Sequence, residues 1–105
     1  MTQASGARCR IHADWSGPGV VLHAAGALDA AAVTTWDRCV SDILDDGPTA
    51  VTLDLTAVTF MASAGLRLIV DLRHQLQFAG TSLVIVNSPP KIARLLQLTG
   101  MTDAT

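Results

Sequence analysis

The 105-residue sequence predicts an α/β domain: a mixed four-stranded sheet in the order β-β-α-β-α-β-α, with its helices packed mainly on one face. Three observations carry that expectation. Val51, Leu53 and Leu55 alternate with Thr52 and Asp54 at the period of a strand with one buried face, and the period turns helical from Ser63 onward, with Gly65, Ile69, Leu72 and Leu76 in step and Leu66 and Val70 widening the stripe. The dense turn chemistry of Ser16-Gly17-Pro18-Gly19 separates two short extended segments, which predicts an antiparallel hairpin. Beyond Gly80, the run Leu83-Val84-Ile85-Val86 suits a parallel strand covered on both faces. Each βαβ crossover makes its strand pair parallel and right-handed, so the sheet is mixed.

In chain order, residues 1–6 are small and polar, and are expected to fray. Arg8, Arg10, His12 and Asp14 alternate with Cys9, Ile11, Ala13 and Trp15, giving the first strand a wet and a dry face. Val20 to Ala25 forms the returning strand, and Gly26-Ala27-Leu28-Asp29 leads into a helix that Asp29 caps and that runs to about Asp46. This helix buries Val33, Trp36, Val40, Ile43 and Leu44, and Gly47-Pro48 stops it. After the central strand, Val58 and Phe60 carry the chain to Met61; Ser63 is the expected N-cap of the next helix and Gly80 its stop. On that numbering Gly65 is N2 and Leu66 N3, so unpaired N–H groups point at the serine hydroxyl and Gly65 has no side chain to shield them. A phosphate on Ser63 would meet those donors and the positive end of the helix dipole. The last helix begins at Lys91 behind Pro89-Pro90, turns Ile92, Leu95 and Leu96 inward and ends at Gly100.

The composition narrows the function. A chain of this length is one domain spanning 1–105, able to bury about two-thirds of its unfolded surface. A net charge of −2 with 15% charged residues provides no electrostatic footprint for nucleic acid. No apolar signal core and no run of roughly 18 apolar residues is present, so a cytoplasmic protein without membrane contact is expected. Cys9 and Cys39 lack CxxC spacing, and His12, His23 and His74 are scattered, so no metal and no cofactor is expected. A disulfide between the two cysteines is left open, because spacing alone does not fix their separation.

The residues FMASAGL, following LDLTAVT, resemble the signature of STAS domains, the fold of bacterial anti-sigma factor antagonists. In that family an Asp-Ser-Ser/Thr-Gly-Leu motif follows a strand ending in Asp-Leu-Ser/Thr, and the serine after the Asp is phosphorylated by a partner kinase. The resemblance places that serine at Ser63, the glycine at Gly65 and the leucine at Leu66, with Ala62 replacing the Asp and Ala64 the second hydroxyl residue. Gly26-Ala27-Leu28-Asp29 is similar to the family's Gly-Glu-Leu-Asp element, with Ala27 in place of Glu. Leu98-Thr99-Gly100-Met101 looks like its Leu-Thr-Gly-Leu, and a C-terminal extension is expected to be short or absent.

The resemblance implies a STAS-like fold and a binding module with no catalysis of its own. It implies phosphorylation at Ser63 and a partner-binding rim made by Asp29, Ala62, Ser63, Ala64, Gly65, Leu66 and Arg67. The implied partner is an anti-sigma factor with serine kinase activity, which would itself supply ATP and Mg²⁺, and the chain is expected as a monomer or weak homodimer. STAS domains also serve as non-phosphorylated docking subunits of transporters or stress-signalling complexes, which is the alternative. A serine hydrolase is disfavoured. Met61 stands where the first glycine of a G-x-S-x-G elbow is needed, His12 and His23 precede the serine, and His74 lies about 16 Å further along the same helix.

Overall fold

The computed structural model describes residues 9–15, 17 and 19–100. The segment expected to fray (1–6), Arg8, two residues of the hairpin turn (Ser16 and Pro18), Met101 and the chain end fall outside the described residues. Among those described, the order is β1 (Arg10–Asp14), β2 (Val20–Leu28), a 3₁₀ turn (Ala30–Ala32), α1 (Val33–Asp46), β3 (Ala50–Met61), α2 (Ser63–Ala79), β4 (Ser82–Val86) and α3 (Pro90–Gln97).

The strands form one sheet in the order β1-β2-β3-β4. β1 pairs antiparallel with β2, while β2 with β3 and β3 with β4 pair parallel, as the hairpin and crossovers require. The register places Ile11 and Ala13 beside Ala24 and Leu22, and Val51 and Leu53 beside Leu83 and Ile85. Since partners across a ladder share a face, these apolar positions make one side of the sheet. Onto it pack Trp36, Val40 and Ile43 of α1, Leu68, Ile69, Leu72 and Leu76 of α2, and Ile92 and Leu96 of α3, in a single buried cluster.

The opposite side carries no helix and is mixed, with Val21, Val84 and Val86 beside His12, His23, Thr52 and Asp54. His12 and His23 face each other across β1 and β2 with near-parallel rings 5.6 Å apart, and His23 Nδ1 lies 3.2 Å from Asp54 Oδ2. Asp54 Oδ1 accepts from the Thr56 amide and hydroxyl, and more distantly from the Asn87 side-chain amide. Partial burial would raise its pKa, but the bonds from Thr56 and Asn87, with His23 alongside, outweigh that and hold the carboxyl below its usual range.

Several expectations need correction. β4 is an edge strand, and Val84 on its open side is 36% exposed, so the apolar run is not covered on both faces. Continuous hydrophobicity shows that both sides are apolar, but not that both are packed. β2 runs on through Gly26-Ala27-Leu28, beyond the end expected at Ala25; register shifts at His23/Ala25 and Gly26/Ala27, with Gly26 at φ 83°, absorb the irregularity within the strand. Trp15, expected on the dry face of β1, follows the strand and is 44% exposed. The last helix ends at Gln97, three residues before Gly100. The stops read at Gly47 and Gly80 hold: both residues are left-handed, at φ 66° and 79°. The thiols of Cys9 and Cys39 are free. Burial first, then the charges of Asp29 and Asp42 respectively, pushes each thiol pKa upward.

Candidate functional site

The site is assembled where two parallel strands end together. Leu28, the last residue of β2, pairs with Met61, the last of β3. The two following segments therefore emerge side by side at one rim, as expected for carboxyl ends of neighbouring parallel strands. A hydrogen bond ties them: the Ala62 amide donates to the Leu28 carbonyl at 3.0 Å.

On the β2 side, Asp29 leaves the strand in an extended conformation and its carboxylate accepts from the Ala31 amide at 3.0 Å. It is a helix cap, as the sequence predicts, though what it caps first is the 3₁₀ turn, which continues into α1. On the β3 side the cap differs from expectation. Ala62, not Ser63, is the N-cap of α2: its backbone is extended, at φ −87° and ψ 171°, and its carbonyl accepts from the Leu66 amide at 3.0 Å. The bond from Ala62 to Leu28 holds that residue in line with the sheet, so the helix begins one residue earlier than side-chain chemistry alone suggests. Ser63 is thus N1, with Gly65 at N3 and Leu66 at N4. No side chain caps this helix, and the amides of Ser63, Ala64 and Gly65 precede the first intrahelical donor. The Ser63 side chain is exposed, and its hydroxyl is free of the capping duty assigned to it.

Gly65 has a different role from the one its neighbourhood suggested. It is buried, and a Cβ built on it would lie 2.0 Å from the Leu28 carbonyl oxygen and 2.7 Å from the carbonyl carbon. Only glycine lets the first turn of α2 come this close to the end of β2. Of the residues expected on the partner rim, Gly65 therefore supports it from inside. Arg67 is exposed, Asp29, Ala62, Ala64 and Leu66 are half-buried, and all of these lie with Ser63 on the two adjoining segments.

Beside Ser63 runs an open groove of about 510 Å³ lined by Ser63, Ala64, Leu66, Arg67, Val70, Asp71 and Thr99. Val70 and Asp71 were not expected there, although they recur at helical spacing from Ser63 and Arg67 and could have been read from that period. Thr99 comes from beyond α3, 36 positions from Ser63, and no local pattern announces it. Among the described residues no cluster of three or more His, Cys, Asp or Glu side chains is arranged to hold a metal ion. No helix among them is long and apolar enough to cross a membrane.

Known structures share this architecture. An anti-sigma factor antagonist from Mycobacterium paratuberculosis superposes with a TM-score of 0.77 at 21% identity, covering 93% of this chain and 83% of its own. The anti-sigma factor antagonist SpoIIAA in its unphosphorylated form gives 0.75 at 22% identity, over 91% of this chain and 89% of that one. The Bacillus cell fate determinant SpoIIAA in its phosphorylated form gives 0.74 at 24%, over 91% and 92%. At these identities the likeness is one of fold. No curated protein sequence matches the chain. The STAS domain family model matches residues 11–104, and with the sheet order, the Leu28–Met61 rim and the Ser63-Ala64-Gly65-Leu66 helix start in place, the chain belongs to the STAS domain family.

Proposed function

We propose that this STAS domain is an anti-sigma factor antagonist controlled by phosphorylation of Ser63. Unphosphorylated, it binds an anti-sigma factor that is also a serine kinase, in the cytoplasm, and so releases a sigma factor. Phosphorylated, it is let go. The contact surface in this reading is the rim of Asp29, Ala62, Ser63, Ala64, Leu66 and Arg67, held in shape by Gly65.

The observation that carries the reading is the position of Ser63, an exposed hydroxyl at the first residue of α2, flanked by the short side chains of Ala62 and Ala64. A phosphoserine adds about −1.5 to −2 charges at this point. Pressed under a partner, that charge must lose its water, and a penalty of about 3 kcal/mol lowers affinity roughly a hundredfold. The same phosphate suits the free chain, because it sits in the first turn of α2, at the positive end of the helix dipole, so modification opposes the complex without unfolding the domain.

The test is incubation with the cognate anti-sigma kinase and ATP, followed by mass spectrometry and pull-down. Phosphate on Ser63, with binding lost in Ser63→Glu and kept in Ser63→Ala, is the expected result. The second reading, a constitutive docking subunit of a transporter or stress-signalling complex, is favoured by Ala62 standing where the family's motif has Asp. A stable complex that gains no phosphate from a competent kinase selects it.

A further inference from the structure

The groove beside the rim follows α2 away from Ser63. Ser63 and Arg67 are four residues apart on α2, both are exposed, and both line that groove. Side chains at i and i+4 lie one above the other on a helix, within reach of each other. Asp71, four residues further on, lines the same groove, so Arg67 stands between a hydroxyl and a carboxylate. Among the described residues Arg67 has no ion pair, and the first turn of α2 contains no acidic side chain to engage it.

We propose that Arg67 is the intramolecular receptor of the phosphate on Ser63: its long side chain reaches back one turn toward the start of α2 and sets the guanidinium against the phosphate, over the groove. The inference rests on the reading that Ser63 carries a phosphate. An anion preceding a cation by four residues is the favourable order on a helix, whereas the Arg67-to-Asp71 pair runs in the weaker order. A phosphate near −2 also attracts a guanidinium more strongly than one carboxylate does, and can accept two parallel N–H bonds. Before modification, Arg67 is available to a partner or to Asp71. Afterwards it is drawn to the phosphate, and Leu66, Val70 and Thr99 lie beneath the pair instead of open to a partner. Modification then acts in two ways, by adding charge and by withdrawing Arg67 from the contact surface.

The test uses the full-length chain with phosphoserine installed at position 63 during synthesis, so it needs no kinase. Phosphorus NMR follows the second ionisation of the phosphate, which is near pH 6 in an unperturbed phosphoserine. The expected midpoint in the wild type is lower than in Arg67→Gln by about half a pH unit, because the guanidinium favours the dianion. Arg67→Lys should retain part of the shift. Arg73→Gln, an exposed change of the same charge on the same helix, should leave the midpoint unmoved. Circular dichroism of each variant confirms that α2 is intact. Equal midpoints for wild type and Arg67→Gln, or an equal displacement in Arg73→Gln, would overturn the role given to Arg67 and leave the switch at Ser63 standing. Failure of Ser63 to accept phosphate from the kinase would remove the switch and leave the titration result intact.

Discussion

Replacing Gly65 by alanine should damage this domain out of proportion to the single methyl group added. The new Cβ would sit 2.0 Å from the Leu28 carbonyl oxygen and 3.1 Å from the Leu28 Cβ, with no flexible side-chain tip to yield. To restore ordinary contact, the start of α2 must retreat from β2 by on the order of 1 Å. Overpacking of this kind costs about 1–3 kcal/mol and can cost more when backbone must move. The retreat also stretches the Ala62 to Leu28 hydrogen bond, a further loss of about 1 kcal/mol. Alanine returns about 1 kcal/mol through its helix propensity. The expected net destabilisation is about 1–3 kcal/mol, or a fall in Tm of about 5–15 °C for a domain of this size. Thermal unfolding followed by far-UV circular dichroism measures it. Gly47→Ala is the comparison: a Cβ there meets nothing within 4 Å, and only the left-handed backbone at φ 66° is strained, so a loss of about 1–2 kcal/mol is expected. If Gly65→Ala melts within about 2 °C of the wild type, the contact with Leu28 is not the tight one described and the explanation of this glycine fails.

Asp29→Ala removes the acceptor for the Ala31 amide and should cost about 1 kcal/mol, read as a small fall in Tm, while Asp29→Asn should keep most of it. Asp54 yields a pH signature. Its folded pKa lies below the unfolded one, so its contribution to stability is fully present above the unfolded value near pH 4 and is lost as pH falls through the folded value. Urea midpoints taken from pH 6 down to pH 3 should therefore converge between wild type and Asp54→Asn, and a gap that stays constant over that range refutes the assignment. Cys9 and Cys39 should alkylate more slowly at pH 7.4 than an unstructured cysteine, because burial disfavours both thiolates; labelling at the unstructured rate would contradict their raised pKa values.

Much of the architecture is legible in the sequence because local period and turn chemistry agree with the tertiary fold. The alternation from Val51 to Leu55, the helical stripe of Ile69, Leu72 and Leu76 and the stops at Gly47 and Gly80 all reappear in the structure. The sequence misleads where a neighbouring strand decides the outcome. Ser63 reads as a cap by chemistry, yet the hydrogen bond to Leu28 makes Ala62 the cap. Gly65 reads as an uncovering of amides, yet it answers to a carbonyl 37 positions away. Leu83 to Val86 reads as doubly covered, because apolar character on both faces does not reveal which strand ends the sheet. The rim is half legible: Asp29 and Ser63 are chosen from local motifs, and their closeness follows from the parallel register of Leu28 with Met61. Thr99 reaches the groove through the tertiary path of the chain after α3, which no nearby residue encodes.

The helices crowd a single side of the sheet, so His12, His23, Thr52 and Asp54 lie on the opposite face, and Thr52, near the start of β3, stands nine positions before Met61, where that strand meets the Ser63 rim. A fluorophore or spin label attached at Thr52 would report on complex formation from behind, without standing in the partner's way. The molecule thus comes with a built-in handle, and its reverse side can be re-surfaced for measurement while the working edge stays untouched.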